Sequence, residues 1–571
     1  MIVPRARTVS VPLHQTLGRD DWLMGGGLLG LGLWLIITVL LPLWALLSRS
    51  VQARDGTFVG LANFTRYFAT PTLSAALTNS LWLASVSTVL CVLLAFLCAY
   101  GLTRTCMAGR RSFMFVTQLP LLMPSLLPAI SLVYLFGRQG LLTPLVGGVS
   151  IYGPLGLVLG EVFWTLPHAL LIVHTALSLA DARLYEAAEA LGAGPWKIFW
   201  TVTLPGARYG LVSAATVVFT LVMTDFGVPK VLGGSYHVLA TEIYKQVIGQ
   251  QNFEMGAVIG LLLLGPAVLA CGVDRVARRH HTASLTARSV PYVPKPVDLR
   301  DTIFGVFCAA IALGLVGLLA ISILASVVHF WPYNLSLTLK HYRFEITDGG
   351  GWESYGHSLL MATGTALCGT AIVFCGAYVL EKMRRLPLAR ACVQLLALLP
   401  LAVPGLVLGL GYILFFNAAA NPLHGLYGTM TILIICTVAH FYAVAHLTAT
   451  TALQQLDPAF ETVSATLKVP LWRTFARVHT VVCLPAICDI ALYFFVNAMT
   501  TVSAVVFLYA PDTTLAAVAV LNMDDAGDAA PAAAMAVLIF ATTGLVRLGY
   551  TLVTQRVLTR TQRWRAGKTN A

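Results

Sequence analysis

Of 571 residues, 58% are hydrophobic and only 11% charged, less than half the roughly 25% charged content of soluble domains, which excludes a water-soluble enzyme or binding module. The net charge of +12 raises nucleic acid as a partner, but the basic residues collect in short segments between apolar runs, as membrane topology requires, so no nucleic acid is implied. Eleven cysteines fall mostly inside those runs without a C-x-x-C pair; they read as small core residues and indicate neither a disulfide framework nor a zinc site.

Residues 24–47 form a charge-free run longer than the roughly 20 residues that cross a hydrocarbon core. The run follows Arg5, Arg7 and Arg19, but signal-peptide cores span only about 7–15 residues and no small-residue cleavage site follows, so it reads as an uncleaved first span. Runs near 81–102, 113–136, 158–177, 211–231 and 255–273 complete six. A polar stretch from 277 to 299, with His280, His281, Pro291, Pro294 and Pro296, then reads as a cytoplasmic tether. Six more runs follow, at 303–328, 359–380, 391–416, 427–453, 486–508 and 529–545.

Across the tether the sequence repeats at an offset of 276 to 280: Ala99-Tyr100 matches Ala377-Tyr378, Pro120 and Pro124 match Pro400 and Pro404, and Thr175-Ala176-Leu177 matches Thr451-Ala452-Leu453. An even helix count per half gives both copies the same orientation, so the repeats are parallel about an axis along the membrane normal. The predicted fold is an all-α membrane protein of about twelve spans: a first domain at 1–276, a linker at 277–302 and a second domain at 303–571. Arg104, Arg110 and Arg111, Arg275, Arg278 and Arg279, Lys382, Arg384, Arg385 and Arg390, and Arg556, Arg560, Arg563 and Arg565 lie on one side. The positive-inside rule makes that side cytoplasmic, with both termini, and puts Asp512, Asp524, Asp525 and Asp528 outside.

Between the fourth and fifth spans, residues 181–205 open with Glu186-Ala187-Ala188, a strong helix start, and break at Gly192 and Pro195 before Val202-x-Leu204-Pro205. That describes a helix, turn and helix on the cytoplasmic surface. In the second half Asp457, Leu467, Trp472 and Phe475 repeat Asp181, Leu191, Trp196 and Phe199, but Thr462-Val463-Ser464 replaces Glu-Ala-Ala, Lys468 replaces Gly192 and Val481 replaces Pro205.

The first loop resembles the EAA loop of type I ATP-binding-cassette importer permeases: E-A-A, three residues, G, nine residues, then hydrophobic-x-L-P, with every fixed position matched. The resemblance implies a pore-forming subunit in a bacterial inner membrane. Its loops dock on a dimer of separate ATPase subunits, and its solute arrives from a periplasmic binding protein. Glu186, Ala187, Ala188 and Gly192 would dock one ATPase subunit, and the degenerate loop at 457–481, with Thr462 and Lys468, the other. No cofactor is expected in this chain; ATP and magnesium would sit on the partner. A P-loop would need G-x-x-x-x-G-K-[ST], and before Gly567-Lys568-Thr569 the first glycine is replaced by Gln562.

A major-facilitator carrier also has two parallel six-helix halves, but here the informative loop follows the fourth span in both halves and the linker carries no such motif. A membrane-embedded enzyme would need a site; His168 and His174, and His440 and His446, are six apart, on different helical faces, whereas ligand pairs sit at about three or four.

In the fifth span Asp225 lies about 17 residues, roughly 25 Å, beyond the cytoplasmic loop, deep enough that an ionisable group implies water or a partner. Two readings stand: a salt bridge to Lys230 or a bond to a neighbouring span, or a pore position meeting a substrate ammonium while Lys230 attracts a phosphonate at the outer mouth. Thr224 is its neighbour, and Thr500, Thr501 and Ser503 form the matching stretch. The fused arrangement resembles iron(III), thiamine and polyamine permeases. The stretches beginning at Thr224, Leu239 and Ala491 are similar to permeases for 2-aminoethylphosphonate.

Overall fold

The computed structural model describes residues 19–147, 150–281, 290–347, 349–383, 385–457 and 459–561. Arg5, Arg7, Arg384, Arg563, Arg565 and the Gly567-Lys568-Thr569 stretch lie outside the described residues, as do the side chains of Arg278, Arg279, His280, His281, Arg556 and Arg560. Among the described residues nine helices are long and apolar enough to cross a bilayer, and three bent pairs bring the possible crossings to twelve.

The first half runs through α1 (Arg19–Ser50), α2 (Pro71–Arg104), α3 (Arg110–Leu122), α4 (Leu126–Phe136), α5 (Pro154–Ser178), α6 (Ala182–Ala190), α7 (Pro195–Thr224), α8 (Gly227–Leu232), α9 (Leu239–Tyr244) and α10 (Phe253–His281). The second runs through α11 (Asp298–Val327), an antiparallel hairpin of β1 (Val328–Phe330) and β2 (Asn334–Leu337), α12 (Gly351–Lys382), α13 (Pro387–Ala402), α14 (Gly405–Phe416) and α15 (Met430–Gln454). It continues with α16 (Ala459–Thr466), α17 (Leu471–Val482), α18 (Leu484–Thr500), α19 (Ala516–Asp525) and α20 (Ala529–Thr561).

Within the first half α5 packs between α2 and α7, and within the second α12 packs against α15 and α18. Small residues allow these approaches: a Cβ at Gly210 of α7 would meet the Ala176 Cβ of α5 at 2.2 Å, the close helix contact on which membrane bundles depend. The first span of each half crosses to the other half, α1 packing on α12 and α13, and α11 on α2, α3 and α4. Large apolar side chains left exposed, such as Leu29, Leu33, Val89, Leu313 and Leu367, face outward from these spans, as a chain solvated by lipid requires.

Three expectations are corrected. The runs at 113–136 and 391–416 are not straight spans: α3 and α4 meet at 103°, α13 and α14 at 115°. Pro124 and Pro404 force the preceding Met123 and Val403 into extended backbone, and neither helix can continue through them. The runs at 211–231 and 486–508 likewise stop at Thr224 and Thr500. Finally, α10 extends to His281 and α11 begins at Asp298, so the connection is shorter than 277–302, and its described part is docked rather than free.

Candidate functional site

On the cytoplasmic side as read from sequence, each half presents a helix, a turn and a second helix. Asp181 Oδ1 accepts the Arg183 N–H at 3.1 Å to cap α6, and Asp457 Oδ1 accepts the Ala459 N–H at 2.8 Å to cap α16. The turn that follows is left-handed in both, at Gly192 (φ 74°) and at Lys468 (φ 54°). Glu186, Ala187, Gly192, Thr462 and Lys468 are exposed and Ala188 is half-buried. Large apolar side chains stand exposed at equivalent places, Leu191 and Trp196 in one loop and Leu467 and Trp472 in the other, the composition of a surface that a partner covers. A widened turn follows in each, at Phe199–Thr203 and Phe475–His479, a feature that concentrates at functional sites.

Each loop is clamped to the end of its half's second span, through Arg104 and Lys382, which the sequence marked only as cytoplasmic charges, and through partners it did not single out. Buried Arg104 donates from Nε to Tyr185 Oη at 3.2 Å and from Nη2 to the Leu177 carbonyl at 2.8 Å, and Tyr185 Oη donates to Thr203 Oγ1 at 3.1 Å. In the second half Lys382 pairs with Glu461, and His479 Nε2 lies 3.9 Å from the same carboxylate. Arg104, Tyr185 and Thr203 map onto Lys382, Glu461 and His479 at the repeat offset, so aligning polar as well as identical residues would have found them. Val481 does occupy the Pro205 register, and Leu484-Pro485 recurs one turn later, where the chain bends by 75° between α17 and α18.

Between the halves lies a cavity of about 290 Å³ whose lining includes Thr224, Asp225, Thr500, Thr501 and Ser503. The bends build it. Ser125, at the tip between α3 and α4, sits where a Cβ on Gly227 would be 2.2 Å from its Oγ; Ser503 takes the reciprocal place, 2.5 Å from a Cβ on Gly405 at the tip between α13 and α14. Each tip therefore wedges into the break after the half's long helix, with serine and glycine exchanged. Trp164 and His168 from α5, His440 from α15 and Tyr493 from α18 complete the wall, whereas His174 and His446 are not part of it. Among the described residues no group of three or more His, Cys, Asp and Glu is placed to hold a metal ion.

Asp225 Oδ2 accepts the Val228 N–H at 2.8 Å and the carboxylate also meets the Ser125 hydroxyl, so it caps α8 while facing the cavity. Of the partners weighed from sequence, Lys230 is not the one it meets: Lys230 Nζ lies 3.0 Å from Asp525 Oδ1 of the other half and 5.1 Å from the Tyr244 ring centroid. Beside that pair, Asp524 is pushed up to about 6 by burial and then by Asp525, with Lys230 opposing.

Residues 91–280 match the family described as binding-protein-dependent transport system inner membrane component. A putative ferric transport system permease protein, FbpB 1, of Haemophilus influenzae is 30% identical over 462 residues, covering 76% of this chain and 70% of that protein. The molybdenum transport system permease protein ModB of Mycobacterium tuberculosis is 32% identical over 249 residues, covering 43% of this chain and 90% of its own. A crystal structure of a bacterial alginate ABC transporter with its alginate-bound periplasmic protein aligns over 47% of this chain and 97% of that one, at 18% identity and a TM-score of 0.39.

Proposed function

Because the chain belongs to the family of binding-protein-dependent transport system inner membrane components, we propose that it forms both halves of the pore of an ATP-driven importer. In this reading Glu186, Ala187, Ala188 and Gly192 dock one separate ATPase subunit, Thr462 and Lys468 the other, and both termini are cytoplasmic. The observation that carries it is the duplicated loop with matching caps, left-handed turns and exposed Leu and Trp. Helix α7 runs from that loop to the cavity wall in 30 residues, roughly 45 Å, so displacement at Trp196 reaches Thr220 and Thr224 through one rod. In the second half the 75° bend interrupts the equivalent rod, and the two loops act unequally.

For the solute we propose 2-aminoethylphosphonate. Among the described residues Asp225 is the one carboxylate in the cavity lining and meets the ammonium, while His168, His440 and the hydroxyls of Thr224, Thr500, Thr501 and Ser503 offer donors to the phosphonate. A second reading, iron(III), is supported by the names of the ferric relatives and by hard oxygen donors from Asp225 and Tyr493 in the same wall. Polyamine and thiamine fit the same family arrangement. The cognate binding protein, titrated calorimetrically with 2-aminoethylphosphonate, iron(III), spermidine and thiamine, discriminates them. Tight binding of the phosphonate alone is expected; its absence rejects the assignment.

A further inference from the structure

The connection between the halves follows a course that its composition does not suggest. The Ala182 N–H donates to the Val290 carbonyl at 2.9 Å, the Val290 N–H donates to Asp181 Oδ1 at 3.3 Å, and Asp181 and Pro291 pair as an antiparallel bridge. Tyr292 then lies against Tyr185 of α6 with ring centroids 4.4 Å apart, and the Arg104 guanidinium packs against both rings, 5.1 Å from Tyr185 and 4.8 Å from Tyr292. Lys295 Nζ reaches Glu189 Oε2 at 2.8 Å. At the far end Arg300 Nη2 donates to the Lys295 carbonyl at 2.6 Å, and the Val297 N–H donates to Asp301 Oδ2 at 3.0 Å, which caps α11.

We propose that residues 290–297 are a strap that makes α6 and the start of α11 one mechanical unit, so that ATPase movement at the first loop acts on the first span of the second half as well as on α7. The proposal rests on the reading of that loop as the ATPase contact. Its physical content lies in the distribution of bonds: the strap touches the docking helix at both ends and in the middle, and no more than one residue separates its last contact with α6 at Lys295 from the cap of α11 at Val297. The exposed ion pair alone would hold little. The buried element is the three-way cluster of Tyr185, Tyr292 and Arg104, with Arg104 at 3% exposure. Tyr292 is thus a positioning residue for the docking helix.

The test uses the complex isolated from native membranes through a tag on this chain and placed in nanodiscs. Spin labels go at exposed Leu184 of α6 and Leu299 of α11, with the exposed Cys106, Cys368, Cys375 and Cys392 changed to serine. Distances are read without nucleotide and with MgATP–vanadate. A single narrow distance, the same in both states, is expected for wild type and for Tyr292→Phe. Tyr292→Ala should shift the docked population roughly tenfold toward a broad distribution, the scale of one desolvated cation–π contact. A wild-type distance that changes with nucleotide, or a Tyr292→Ala sample as narrow as wild type, overturns the strap. If no ATPase subunit co-purifies with wild type, the underlying reading fails instead.

Discussion

Gly192 and Lys468 occupy the same left-handed turn in the two loops, at φ 74° and 54°. A Cβ on Gly192 would meet nothing within 4 Å among the described residues, so within this chain glycine is favoured by backbone conformation and not by space. Lys468 holds the equivalent turn without that freedom, at a cost of roughly 1–2 kcal/mol for an L-residue. Lys468→Gly is therefore expected to raise stability, by up to about 1 kcal/mol once the entropy of an added glycine is subtracted. Thermal unfolding of the purified chain measures it.

The same turn separates two causes of lost coupling. Asp tolerates the left-handed region better than a β-branched residue, so Gly192→Val should impair ATP-driven transport more than Gly192→Asp if backbone strain dominates. The reverse order would place the constraint in a tight groove on the ATPase. Transport assays at matched abundance decide between them.

The first loop was legible because its glycine, prolines and Glu-Ala-Ala start act locally, and the halves because apolar runs repeat at a near-constant offset. The bends at Pro124 and Pro404 were not read, although both prolines were in view, because hydropathy sums a run without regard to direction. The strap escaped for another reason. Pro291, Pro294 and Pro296 do keep the segment extended, but whether an extended segment floats or docks depends on Asp181, Tyr185 and Glu189, roughly a hundred residues earlier in the chain. Asp225 was singled out by depth, while its bond to Val228 required knowing that α7 ends at Thr224.

Asp225 carries a cap and a charge, and two variants separate them. Asn retains an acceptor for the Val228 N–H, so Asp225→Asn should leave stability within about 0.5 kcal/mol, whereas Asp225→Ala loses the cap at a cost of about 1 kcal/mol. Uptake should fall in both if the carboxylate meets the solute. Normal uptake in a normally assembled Asp225→Asn complex would remove the pore role and leave the cap.

Near Lys230 and Asp525, Asp524 has a folded-state pKa of about 6 against an ordinary 3.8. The folded state therefore binds this proton more tightly than the unfolded state, and the favourable contribution is present at low pH and lost as pH rises from about 4 through about 6. Asp524→Asn should remove that fall and raise stability at pH 7. Melting temperatures of wild type and variant at pH 5 and pH 7.5 provide the check; an equal difference at both pH values would contradict it.

Glu161 on α5 is fully buried, and among the described residues neither carboxylate oxygen has a hydrogen-bond partner. It lies one and two turns from Trp164 and His168 on the same helical face, and both of those residues line the cavity. Thr437 holds its place in the second half. An ionised carboxylate there without a counter-charge costs several kcal/mol, and a neutral amide of the same shape does not carry that cost. Glu161→Gln should therefore preserve or raise the stability of the purified chain. Glu161→Ala, which removes a fully buried side chain and leaves a void, should lower it by about 1–3 kcal/mol. Transport supplies the second readout: if Glu161 only fills space, Glu161→Gln transports as wild type does, and if the solute's cationic group passes it on the way to Asp225, uptake drops while stability does not. A Glu161→Gln protein that melts well below wild type would mean instead that the carboxylate is held by a partner.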